Sequence, residues 1–505
     1  MANIVSRARN CTMADTPLLL PPHDSGAAGV ISIDDAADTN SVAAVGDDHL
    51  LPAALAAFAW VFDAQQTFIS VFADAMPPWG CTSPSCSTFV AGAGASTASS
   101  PCNLPAGSWS WSLPTHSSTV SEWSIECAPP ALLGLPSSSY FAGCLAGGFL
   151  LATLADTRLG RKNMLVLSSL VMSLSAAATA LSPSLLVYSA LRFVCGFGRA
   201  TVGTSALVLS TELVGRRWRD RISILSFLCF TLGFLSLPAI AYAGRGASWR
   251  TLYLSTSLPS FLYTVVIFFF MKESPRWLLV SGGGAAAGDI FSAARTLWEN
   301  RWAFRRLAAT MTVSFGVGMV YYGMPLNLGN LSSDLYLSVV INAVAELPSS
   351  LLVFFLLSIM NRRSSTLAFT AAGGVLSLAC AAMAAGGGGG WPETAAEVAA
   401  FFSACTAFSI VLIYSIELFP TCVRNSAIAM VRQALVAGGV VAPAVVALGR
   451  RRRFVSFGVF GLAILCCGLF AVCLPETRGS GISDTMEEEE FKEISPENTR
   501  RRLID

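Results

Sequence analysis

Charge is scarce in this chain. Lys, Arg, Asp and Glu together make up 12% of the 505 residues, about half the share usual in soluble proteins. Their signs cancel to a net charge of +1, which argues against a protein that holds nucleic acid through a strong basic field. Histidine occurs three times, and no His/Cys/Asp/Glu grouping has the spacing of metal ligands. No G-x-x-x-x-G-K-S/T loop is present to cradle phosphates, so a pump driven by ATP is disfavoured. The sequence implies no cofactor and no enzyme chemistry. A cleavable signal peptide is also missing: residues 1–50 are polar, acidic and rich in Gly and Ala, a composition expected to stay disordered.

Apolar residues are abundant, at 53% of the chain. Crossing about 30 Å of hydrocarbon takes about 20 such residues in a helix. Twelve runs qualify: 51–74, 138–155, 164–182, 185–207, 222–243, 251–271, 307–327, 335–360, 367–385, 395–416, 426–449 and 454–474. The fold class expected is an all-α membrane protein with twelve transmembrane helices in two six-helix halves. The organisation expected is a tail over 1–50, a first half over 51–271 with a long loop at 75–137, a connector over 272–306, a second half over 307–474 and an acidic, solvated tail over 475–505. Basic residues in short loops mark the cytosolic side. Arg158, Arg161 and Lys162, Arg216 to Arg221, the connector arginines, and Arg362 and Arg363 all fall on one side. Both termini are therefore expected in the cytosol, with Arg450 to Arg453 as a cluster that disagrees. The long loop then faces outward, and its Cys81, Cys86, Cys102 and Cys127 are expected to form two disulfides by one of three pairings.

The two halves carry matching signatures. Glu212 and Arg219 in STELVGRRWRDR match Glu417 and Arg424 in SIELFPTCVRN (417 − 212 = 205). Glu273 of KESPRW matches Glu476 of LPETRG (476 − 273 = 203), and Asp156 of ADTRLGRK matches Asn361 of MNRRSS (361 − 156 = 205). Two parallel copies of a membrane half-unit are the mark of a carrier that rocks between states. Asp156, Gly160 and Arg161, with Glu212, Arg219, Glu417 and Arg424, are the expected gating residues at the cytosolic edge.

Within the spans, Glu346 and Asp63 are acids near the bilayer midplane, where a carboxylate is costly and marks function by default. Arg192 and Arg199 share a helix face and are expected to counter Asp63 or Glu346. Arg432 is expected to reach back to the cytosolic interface. Aromatic faces attract ammonium groups, so Tyr321 and Tyr322, with Gln66 and Asn327 as polar neighbours, complete the expected substrate-binding set.

LATLADTRLGRK resembles the loop between spans two and three of the major facilitator superfamily. KESPRWLLVSG, ELFPTCVRNSAIAMVRQ, YYGMPLNLGNLSSDLYLSVVINAVAELP and LPETRG resemble its organic cation/carnitine transporter family. AFAWVFDAQQTFISVF and STELVGRRWRDR are similar to the plant members. The resemblance covers roughly residues 50–480. It implies a central cavity between rocking halves and a cargo of organic cations or carnitine-like zwitterions, with proton or sodium coupling possible and the bilayer as the other partner. Val436 stands before the paired glycines of span eleven, where animal members often carry a charge. The loop MNRRSST lacks the acid and glycine of its first-half twin. KESPRW and LPETRG also resemble sugar carriers, so a sugar–proton symporter is the nearest rival. A non-transporting membrane receptor, with the cysteine loop as its ligand-binding domain, is the rival from another class. The address is expected at the plasma membrane or, through the dileucine-like DTPLLL, at the vacuolar membrane.

Overall fold

The computed structural model describes residues 50–83, 86, 101–104, 107–154, 159–214, 216–274, 277–278, 290–331, 334–386, 390–450, 452–478 and 486–494. Twelve long helices form the body. Those of the first half are α1 (Leu50–Ala73), α2 (Pro130–Leu154), α3 (Gly160–Thr179), α4 (Leu185–Glu212), α5 (Arg216–Ala243) and α6 (Trp249–Phe270). Those of the second are α7 (Arg301–Asn327), α8 (Leu335–Ile359), α9 (Arg362–Ala385), α10 (Trp391–Leu418), α11 (Thr421–Gly449) and α12 (Arg453–Cys473). Ten of the twelve spans are long and apolar enough to cross a membrane by composition alone; α2 and α3 complete the set. Many large apolar side chains face outward, among them Phe269 and Phe270 of α6 and Leu351 and Phe355 of α8. An outward apolar belt is what lipid selects and water does not.

Helices meet where side chains are small. A Cβ at Gly143 of α2 would lie 2.0 Å from the Phe193 carbonyl oxygen of α4, and one at Gly196 of α4 would lie 1.9 Å from that of Tyr140. Only glycine allows this approach of two backbones. The halves touch through α2 against α11, α5 against α8 and the end of α1 against α7. The end carrying the long loop is called here the loop end, and the opposite one the connector end.

Helix α2 starts eight residues before the expected 138, at Pro130. Proline suits the first helical turn, whose N–H groups have no intrahelical partner. The long loop holds a two-stranded antiparallel hairpin, β1 (Trp79–Cys81) with β2 (Trp109–Trp111), and the disulfides pair Cys81 with Cys86 and Cys102 with Cys127. It docks on α6 through Glu122, which accepts from Arg250 Nη1 at 2.5 and 2.7 Å and from Trp249 Nε1 at 2.6 Å. Partial burial disfavours the charge on Glu122, but the bonds from Arg250 and Trp249 outweigh it and hold the carboxyl below its ordinary range.

The acidic tail departs from its expected solvation. A short helix, Met486–Ile494, buries Met486 and sets Glu489 2.8 Å from the buried Arg306 of α7. Three residues apart, Met486 and Glu489 share a helix face, so one side of an otherwise acidic helix can dock.

Candidate substrate site and gates

Asp63 of α1 is 1% exposed and held by both arms of Arg199 from α4: Nε donates to Oδ1 at 2.7 Å and Nη2 to Oδ2 at 2.8 Å. This bidentate geometry is the strongest pairing available to a carboxylate. Arg192, two turns away on the same face, is fully buried but counters neither expected acid. It donates to the Gln66 carbonyl at 3.2 and 3.3 Å and to Ser70 Oγ at 3.2 Å, and its guanidinium lies 4.1 Å from the Tyr140 ring. Two turns move a side chain about 11 Å along the axis, so only one of the two arginines can reach the level of Asp63. Gln66 is turned into the first half. Its Nε2 donates to Thr256 Oγ1 at 3.2 Å and its Oε1 faces Cys195.

In the second half, Glu346 of α8 accepts from Tyr321 Oη at 2.7 Å. Its other oxygen, Oε2, is buried and has no hydrogen-bond partner among the described residues. Glu346 lies eleven residues past the start of α8, about 16 Å along the helix and so near mid-depth. The ring of Tyr321 stacks on Phe408 at 4.4 Å and on Phe401 at 6.0 Å. Tyr322 stands nearly perpendicular to it at 5.0 Å and meets Phe141 of α2, across the halves, at 4.8 Å. Pro348 follows within the helix, where it supplies no backbone N–H to the preceding turn.

Tyr322 stands between the two acids: its ring meets Tyr321, the partner of Glu346, and it lies within electrostatic reach of Arg199, the partner of Asp63. Arg432 does not reach back to the interface. It lies within electrostatic reach of Tyr322, Arg199 and Asp63. The reason is the length of α11, which begins at Thr421 rather than 426 and so carries Arg432 about 16 Å inward. Asp63, Arg199, Tyr322, Arg432, Tyr321 and Glu346 thus form one group at the seam of the halves. Asn327 does not join it. It is fully buried near the loop end, where its Oδ1 accepts from Asn330 Nδ2 at 2.7 Å.

Two features were not anticipated from sequence. Arg450 Nη2 donates to the Asp74 carbonyl at 2.7 Å, tying the end of α11 to the end of α1 at the loop end. A cavity of about 30 Å³, enough for water, lies beside this tie between Ser70, Asp74, Asn330 and Arg450. The tie accounts for Arg450 in the cluster that disagreed with the loop-charge rule; Arg450 fastens two helices instead of marking a side. The other feature is Glu397 of α10, fully buried and accepting from Asn342 Nδ2 of α8 at 3.0 Å. Its signal was an acid inside an apolar helix, obscured because α10 begins at Trp391 rather than 395.

At the connector end, Glu273 Oε1 accepts the N–H groups of Arg161 and Lys162, each at 2.9 Å, and so caps α3. Gly160 has φ +78°, and a Cβ there would lie 2.4 Å from the Glu273 carboxylate; both facts require glycine. The mirror in the second half is Glu476, which accepts from the N–H of Arg362 at 2.8 Å and of Arg363 at 3.1 Å. Glu417 pairs with Arg362 at 3.1 Å and accepts from Thr477 Oγ1 at 2.6 Å, while Arg424 Nε donates to the Phe419 carbonyl at 3.2 Å. All of these bonds stay inside one half. Glu212 and the Arg219 side chain make no hydrogen bond or ion pair among the described residues, and Glu212 Oε2 is buried. Asp156 lies outside the described residues.

The model of the Major Facilitator Superfamily matches residues 86–443. "Organic cation/carnitine transporter 3" of Arabidopsis thaliana is 50% identical over 478 residues, covering 88% of this chain and 91% of the relative. "Organic cation/carnitine transporter 2" of the same plant is 49% identical, covering 93% and 96%. Among solved structures, the inward open conformation of the xylose transporter from E. coli aligns with a TM-score of 0.61 at 18% identity, covering 87% of this chain and 98% of that one. At that identity the likeness is one of fold.

Proposed function

From a chain that belongs to the organic cation/carnitine transporter family of the Major Facilitator Superfamily, we propose a carrier that moves organic cations or carnitine-like zwitterions by alternating access, with Glu346 as the acid that meets the cationic group. The carrying observation is that Glu346 sits near mid-depth beside a stacked aromatic wall, with one carboxylate oxygen unpartnered among the described residues. A carboxylate and aromatic faces are the two groups that attract an ammonium ion most strongly. Asp63 is already neutralised by Arg199, so it positions the seam and does not compete for cargo. Arg432, at the same seam, supplies a positive partner for the carboxylate of a zwitterion.

The Arg450 tie fastens the loop end. The helix caps made by Glu273 and Glu476 hold α3 and α9 to the last turns of their own halves, so each half rocks as a unit. In this reading the connector end and both termini face the cytosol, and the domain limits are those expected from sequence. The address is the plasma membrane, with the vacuolar membrane as the alternative that DTPLLL would direct. A sugar cargo is supported by the resemblance of KESPRW and LPETRG to sugar carriers and by a likeness of fold at 18% identity.

The test is uptake of labelled tetraethylammonium and carnitine by cells and isolated vacuoles expressing the chain. Saturable uptake lost in Glu346→Gln at normal surface expression supports the reading. Uptake unchanged by the substitution discards the site but keeps the carrier, and uptake of a hexose alone discards the cargo.

A further inference from the structure

Buried carboxylates normally meet a cation or several donors. Glu397 meets neither. It is fully buried in α10, and its sole hydrogen-bond partner among the described residues is Asn342 Nδ2 at 3.0 Å; Oε1 has none. Asn342 is also fully buried, and its own Oδ1 is unpartnered. The amide cannot be turned to relieve this. Its Nδ2 lies 3.0 Å from two acceptors, the Ser338 carbonyl and Glu397, so exchanging oxygen and nitrogen would set acceptor against acceptor. Two adjacent acceptor-only atoms in a dry place lack the same thing, a donor.

The groups around Glu397 are Asn342 from α8, Cys380 from α9 and Cys405 from its own helix; Glu393 also acts on Cys380, and Glu346 on Cys405. Among the described residues, no cation acts on Glu397 from any helix packed around it. Glu393, Glu397 and Glu346 are ordered by depth. From the helix starts at the loop end they lie about 3, 9 and 16 Å inward.

We propose that Glu397, oriented by Asn342, is the proton-binding site that couples this carrier to a proton gradient. A proton from water at the loop end passes by Glu393 to the Glu397 carboxylate and converts an unpartnered acceptor oxygen into a hydroxyl donor. After the halves rock, it leaves to water on the other side, so the proton is conserved. Asn342, the partner of Glu397, lies one helical turn before Glu346 on the same face of α8, which links proton occupancy to the cation site. The inference rests on the cation-carrier reading above and names its coupling ion.

The experiment uses the full chain in liposomes containing a trapped pH-sensitive dye, with tetraethylammonium and carnitine as probes. Wild-type protein is expected to show substrate-evoked proton movement and accumulation driven by an imposed pH gradient. Glu397→Gln is expected to lose both at least tenfold while keeping substrate counterflow, which needs no net proton transfer. Uptake without proton movement, proton movement unchanged in Glu397→Gln, or dependence on sodium in its place overturns the inference and leaves the carrier standing. Absence of uptake and counterflow for both probes sinks the carrier reading and this one together. If Glu397→Gln does not fold, Asn342→Leu carries the test. Removing a donor to the charged carboxylate should move the pH optimum of uptake upward by about one unit, and an unmoved optimum counts against the site.

Discussion

The first half clamps its mid-depth acid, while the second leaves its acids uncompensated. Asp63 is locked by two short bonds from Arg199. Among the described residues, the Glu346 and Glu397 carboxylates have only a phenol and an amide. The connector ends, by contrast, are alike: Glu273 and Glu476 perform the same helix cap at matching positions. A duplicated half-unit thus keeps its mechanical fastenings in both copies and differs where charge is handled. A fixed ion pair is an inert hinge surface, whereas an uncompensated acid responds to cations and protons. The asymmetry places the responsive chemistry in the second half.

The largest effect should come from breaking the clamp. Arg199→Ala leaves Asp63 charged and buried, a loss of about 3–5 kcal/mol, seen as a large fall in the thermal midpoint of the detergent-solubilised protein. Adding Asp63→Asn should restore most of that stability but not transport. If Arg199→Ala alone melts like wild type, the clamp does not set the first half apart.

Gly160→Ala should come next. The left-handed backbone at φ +78° costs an alanine about 1–2 kcal/mol, and its Cβ would also displace Glu273. In the second half the residue before the capped N–H groups of Arg362 and Arg363 is Asn361, which the sequence offset sets against Asp156; its φ is −69°, so Asn361→Ala should be nearly neutral. Matching melts for the two variants would contradict this difference between the caps.

Tyr321→Phe removes the one hydroxyl that, among the described residues, donates to the Glu346 carboxylate. Such a bond to a charged group is worth about 1.5–3 kcal/mol. The expected outcome is a rise in KM for cationic substrate of roughly tenfold with normal expression. An unchanged KM would mean that Glu346 is positioned by something else.

The smallest effect lies outside the membrane. Because Glu122 is held below its ordinary value of 4.5 in the folded protein, its contribution to loop docking is complete above that value. It is lost as pH falls through the lower, folded one. Hydrogen exchange in residues 119–123 should therefore rise on acidification in wild type, while Glu122→Gln should show raised exchange already at pH 7 and no further acid step there.

The repeat and the span count were legible because membrane insertion imposes length and polarity rules on each segment separately. The offset linking Glu273 to Glu476 foretold a shared role, though only the folded chain showed both as caps on a neighbouring helix. Arg432 was misplaced because apolar counting starts where hydropathy begins, whereas α11 starts at its polar first turn. Glu397 was overlooked for the same reason. Gln66 and Asn327 had the right residue type and span, but rotation about α1 aims Gln66 into the first half, and Asn327 is the last residue of α7, at the loop end.

By itself, then, the sequence determined which segments cross the membrane and that they do so as two related sets of six, since both follow from local hydropathy and internal periodicity. The tertiary structure alone decided the partners. Whether an arginine clamps an acid, fastens two helices or stands open at the seam depends on the rotation and depth of helices far apart in the chain. A single helix carries no information about the partner across from it.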